Sequence, residues 1–182
     1  LSSTSGAPLE TAATIDVDTA ATFKVKVLFV TAFAYLHNNR EIWRDGCLQS
    51  LQATTRVNGE TYSVEGASTK DGFSVAAKAR PTEPCARSFA YWDRDLLTNG
   101  LLLNAQSGEY TKTTLTSLGQ STLQIGDTNV PVDRYSLEGE NLQVTLSYTT
   151  TSSSKKQEWV GLESTVMGGR TLRYVRTPES ML

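Results

Sequence analysis

CLQSLQATTRVNGETYSVE, residues 47–65, holds two short runs in which apolar and polar side chains alternate, separated by Val57-Asn58-Gly59. Alternation at period two is the signature of a strand with one face turned to a core. Asn-Gly between two such runs marks a tight hairpin, because both central residues of that turn take positive φ. The segment therefore reads as strands 47–55 and 60–65 of an antiparallel sheet.

The same period extends outward in both directions. Ile15, Val17, Phe23, Val25, Val27 and Phe29 alternate with Asp16, Asp18, Lys24 and Lys26, which predicts a strand with its apolar set facing the core. Phe33 to Trp43 predicts a second strand, with Phe33, Tyr35, His37, Glu41 and Trp43 on one face if no bulge intervenes. Arg44-Asp45-Gly46 reads as a turn. Beyond Glu65, a strand at 73–78 follows Lys70-Asp71-Gly72, and the link Arg80 to Pro84 cannot lie in a central strand because two prolines lack N–H donors.

Next stands CARSFAYWDRDLLTNGLLLNAQSGEY, 85–110, where Asp93, Asp95 and Asn99 break any strand pattern; this is the one place a short helix is expected. Strands are predicted at 108–115, 121–125, 129–137, 142–149, 158–165 and 170–176. Many short strands at this spacing predict an all-β fold, a single curved antiparallel sheet closing as a β-roll or barrel with at most one short helix. The expected organisation is an N-terminal arm over 1–13, one β domain over 14–176 and a tail over 177–182. TTTSSSKK at 149–156 reads as a polar hairpin tip.

Seventeen basic and 19 acidic residues leave a formal charge of -2, with no excess positive charge for a phosphate backbone, so nucleic acid is not an expected partner. No apolar run approaches the roughly 18 residues of a membrane helix, so no transmembrane segment is expected. Leu1 follows no basic or apolar leader, and the expectation is an exported chain, periplasmic, lumenal or secreted, whose targeting segment has been removed. Cys47 and Cys85 fit no zinc spacing; they are either two free thiols or a single bridge.

Four phrases carry a family resemblance: VKVLFVTAFAYLH at 25–37, EIWRDGCLQSLQATTRVNG at 41–59, the 85–110 stretch, and WVGLESTVMGGRTLRYV at 159–175. In order and spacing they resemble DUF6134, a bacterial family of unknown function related in pattern to DUF3108. The resemblance implies an exported antiparallel β domain with one further N-terminal hairpin. It implies no catalytic residue.

Three function classes fit these residues. The first is a non-catalytic module holding an apolar or amphipathic small molecule, lipid-like or pigment-like, in a cavity lined by Phe33, Tyr35, His37, Trp43, Phe89, Tyr91 and Trp92, since such rings offer apolar faces with polar tips. Against it stands the plain role of these rings as core. The second is a structural or accessory subunit of a larger assembly, with a protein partner. The third is a barrel isomerase or cyclase in which His37, Glu41 and Tyr91 supply acid–base groups; His37 equally suits a hydrogen-bonded place in a sheet. No nucleophile elbow, metal-ligand set or phosphate-cradling loop is present, so no cofactor and no metal are expected. Arg40, Glu41, Arg44, Asp93, Arg94 and Asp95 are expected to pair at the rim.

Overall fold

Asn58 and Gly59 take φ of 51° and 97°, the left-handed conformations that the Asn-Gly signal requires, and the hairpin they close is the centre of the first sheet. The structure, a computed structural model, describes residues 13–27, 30–76, 83–98, 100–150, 156–166 and 170–177. Most of the expected arm, the middle of the TTTSSSKK tip and nearly all of the tail lie outside the described residues, as does the further N-terminal hairpin implied by the resemblance. The chain divides into two compact units, residues 1–86 and 87–182.

In the first unit β1 (Thr14–Val27), β2 (Val30–Arg44), β3 (Cys47–Val57), β4 (Glu60–Thr69) and β5 (Gly72–Val75) form a five-stranded antiparallel sheet in chain order. Each strand pairs with the next, so every connection is a hairpin. Period two is visible in burial: on β3, Leu51, Ala53 and Thr55 are buried while Gln52, Thr54 and Arg56 are exposed. A bulge facing Ile42 and Trp43 falls on the β3 side, where Gln49 is passed over, so β2 keeps its phase to Trp43.

After β5 the chain runs back along the same sheet. Phe73 N donates to Glu83 O at 2.9 Å and Leu48 N to Ala86 O at 2.9 Å. Between these two bonds Cys47 and Cys85 are joined by a disulfide, with Cα atoms 4.9 Å apart. The bridged alternative is thus the one the molecule adopts.

In the second unit β6 (Leu101–Leu103), β7 (Tyr110–Ile125), β8 (Thr128–Gly139), β9 (Leu142–Thr149), β10 (Trp159–Val166) and β11 (Arg170–Val175) form a six-stranded antiparallel sheet, again in chain order. The fold is all-β and antiparallel, with one short 3-10 helix at Arg94–Leu97. The strands are shared between two sheets, one strongly curled as a half-barrel, where periodicity alone led to one. The division falls between Ala86 and Arg87, after Glu83 and Ala86 have bonded back to the first sheet.

A second difference concerns Gly119, expected to separate two strands. β7 instead runs unbroken through it, with a bulge between Ser117 and Gly119 that leaves Leu118 53% exposed. Gly119 takes φ 82°, the conformation that lets a bulge bend a strand without ending it. The apolar run 101–103 forms the edge strand β6, and Leu102 and Leu103 are fully buried. The core of this unit joins Leu97, Leu102, Leu137, Val144, Leu146, Tyr148 and Leu162, the inward set of β6, β8, β9 and β10 with the helix above it.

Candidate functional site

The inward face of β2 carries Phe33, Tyr35, His37, Asn39, Glu41 and Trp43 at period two. Of these His37, Glu41 and Trp43 are buried, and Phe33, Tyr35 and Asn39 are half-buried. A buried carboxylate is tolerated only when its oxygens accept hydrogen bonds. Glu41 satisfies this locally: Asn39 Nδ2 donates to Oε1 at 2.9 Å and Trp43 Nε1 to Oε2 at 3.0 Å. Its rim position is therefore corrected to an interior one, and so is that of Asp93.

His37 turns to the neighbouring strand. Its Nδ1 lies 2.8 Å from Thr55 Oγ1, the residue opposite it in the register, and its ring stacks on Tyr35 with centroids 6.2 Å apart. Burial holds the imidazole pKa below its ordinary value, and the nearby Glu41 charge opposes this only in part. A general base oriented by a carboxylate needs that carboxylate on its second nitrogen. Here both Glu41 oxygens serve Asn39 and Trp43, so the pair is built as two separate polar contacts.

Phe89, Tyr91 and Trp92 belong to the second unit. Phe89 and Tyr91 are 6.2 Å apart, and both pack against the Leu137–Leu146 core. Tyr148 donates its hydroxyl to the Tyr91 carbonyl at 2.8 Å, and burial pushes its phenol well above the ordinary tyrosine range. The seven aromatic-cluster residues thus fall into two groups, four on β2 and three after Arg87.

The helix that follows Trp92 is capped by Asp93, whose carboxylate accepts from Asp95 N at 3.1 Å and pairs with Lys156 Nζ at 2.6 Å. Arg94 donates to Tyr135 Oη and Gln157 Oε1, each at 2.9 Å, and pairs with Asp95 at 2.7 Å. Gln157 in turn donates to Asp133 at 2.5 Å. These contacts join the 85–110 stretch to β8 and to the residues just before β10.

On the outward face of the first sheet the register places Asp18, Arg40, Gln52 and Glu65 in one row across β1 to β4, and Ala20, Asn38, Thr54 and Ser63 in the next. These two rows border a groove of about 480 Å³. Arg40 makes two contacts to Asp16, at 2.6 and 3.2 Å, which lower the carboxyl pKa. Sequence reasoning passed over this site. Its residues are the polar half of each alternation, the half that periodicity assigns to solvent.

Among the described residues no three His, Cys, Asp or Glu side chains gather as a metal site. The model of a family described as Domain of unknown function (DUF6134) matches residues 7–177. The chain belongs to the DUF6134 family. No curated protein and no solved structure matches it. For this DUF6134 chain the groove, the β2 polar face and the helix network are what the geometry offers. No helix among the described residues is long and apolar enough to cross a membrane.

Proposed function

We propose that this DUF6134 chain is an exported, non-catalytic β domain that binds a small molecule, and that the groove across β1 to β4 is its binding surface. The observation that carries the reading is the groove itself: about 480 Å³ bordered by side chains of four strands, within the roughly 300–1,000 Å³ of small-molecule sites. A groove on a hydrogen-bonded sheet is rigid, which lowers the ordering cost of binding. The disulfide supports an oxidising, exported setting.

The ring-lined cavity expected for an apolar ligand lies elsewhere in this reading, because Phe33, Tyr35, His37 and Trp43 occupy the face of β2 opposite the groove. The groove side presents amides, hydroxyls and carboxylates, so a polar or amphipathic ligand replaces an apolar one. Amide chemical-shift changes on titration with dodecanoate, cellotetraose and spermidine test this. Shifts confined to β1–β4 outward positions, lost in Thr54→Trp, support the groove. Shifts centred on Tyr35, Trp43 or Trp92 with dodecanoate restore the apolar cavity in its place.

A further inference from the structure

The second sheet holds a smaller cavity, and we infer that it is a binding site for a small oxyanion, a carboxylate or a phosphate, received by Ser147 between Arg134 and Arg173. The site is independent of the groove on the first sheet. The register places Gly119, Arg134, Ser147 and Gly161 in one row across β7 to β10. Two of these four carry no side chain, which leaves room above Ser147. A Cβ at Gly161 would stand 2.9 Å from Leu123 Cδ2, so Leu123 of β7 reaches over β10 although β8 and β9 stand between them in the sheet order. The cavity under it is about 80 Å³. That is space for several water-sized groups but well below the roughly 300 Å³ at which sites for larger ligands begin, so the occupant is small.

Ser147 points away from the core that its neighbours Leu146 and Tyr148 join. It is only 5% exposed, borders the cavity, and its hydroxyl has no hydrogen-bond partner among the described residues. A buried hydroxyl left so is costly unless an occupant of the cavity pairs with it. The charged side chains bordering the cavity are Arg134, Glu163 and Arg173. Glu163 Oε2 accepts from Arg134 Nη2 at 3.2 Å, and Oε1 pairs with Arg173 Nε at 3.0 Å. One carboxylate thus meets two guanidinium groups, and the lining keeps a net positive charge. Neither arginine has another partner among the described residues, and each guanidinium has five N–H donors. An oxyanion accepts from these donors and from the Ser147 hydroxyl together. A cation meets two guanidinium groups instead, and an apolar group leaves Ser147 unpaired.

Titration of the full chain with sodium phosphate and, separately, with sodium acetate in chloride-free buffer tests the site, read by amide and arginine Nε–H shifts. Shifts are expected at Leu123, Arg134, Ser147 and Arg173; phosphate alone marks a phosphate site, acetate alone a carboxylate site, and both a general oxyanion site. Ser147→Ala is expected to weaken binding about tenfold, the loss of one hydrogen bond to a charged group. Arg173→Gln changes a side chain that is 52% exposed, so the fold is retained, and is expected to weaken binding at least as much. Affinity unchanged in either variant overturns the proposal. Equal shifts at Arg44 and Arg56, exposed arginines outside the cavity, reduce the effect to unspecific attraction and overturn it too, as does silence from both anions into the millimolar range.

Discussion

The two sheets satisfy their interior polar groups in opposite ways. On the first, Asn39, Glu41 and Trp43 are successive inward residues of one strand, and their hydrogen bonds span two residues each; His37 reaches only to the adjacent strand. On the second, Tyr148 bonds to Tyr91 across 57 residues of chain, and Arg94 and Asp93 bond to Gln157 and Lys156 across 63. A local polar set is assembled as soon as the strand is extended. A distant one is assembled only when several strands are already in register, so its residues report on the finished sheet.

That contrast can be broken by substitution. Replacing Cys47 and Cys85 with serine removes a bridge spanning 38 residues, and on the entropic account should cost about 4 kcal/mol. Chemical denaturation measures it, and hydrogen exchange should show the loss in β3 and β5, which the bridged segment flanks. Glu41→Ala should cost about 3 kcal/mol, because Trp43 Nε1 and Asn39 Nδ2 both lose their acceptor in a buried place. Glu41→Gln keeps an acceptor for one of them and should cost about half as much. Equal losses would mean that the charge, not the local acceptor pattern, is what the first sheet needs.

Smaller effects sharpen the second half of the comparison. Asp93→Ala removes a helix cap and the partner of Lys156, and should cost about 1–2 kcal/mol in thermal or urea unfolding. Lys156→Met should cost much less, since the lysine is largely exposed. The smallest effect concerns pH. The His37 pKa in the folded chain is below its unfolded value of about 6.5. The unfolded state then binds the proton more readily, so stability should fall as pH drops below about 6.5. His37→Gln should flatten that slope; an unchanged slope would place its origin in another group.

Much of the first unit was legible. The Asn58-Gly59 hairpin, the β2 face carrying His37, Glu41 and Trp43, and the turn at Asp45-Gly46 all follow from period two and turn chemistry, which act within a few residues. Legibility failed where one residue type serves two purposes. Gly119 has the same positive φ in a turn as in a bulge, and only the β8 ladder on both sides of it makes β7 continuous. Asp93 breaks a strand pattern equally well as a rim charge or as a buried helix cap, and the Lys156 that pairs with its second oxygen is far along the chain.

By itself, then, the sequence determined the all-β class, the antiparallel hairpins, the family, and which residues of β2 and β3 face inward, because these rest on local periodicity and short motifs; on β1 Ile15, expected to face the core, is exposed. Tertiary structure alone decided the division into two sheets and the pairing of Cys47 with Cys85. It also decided which outward residues of neighbouring strands stand side by side. Alternation distinguishes two faces of a strand but does not fix the register between strands; that comes from turns, bulges and packing summed over the sheet. For this reason the groove lined by Asp18, Asn38, Gln52 and Glu65 appears only once the sheet is built.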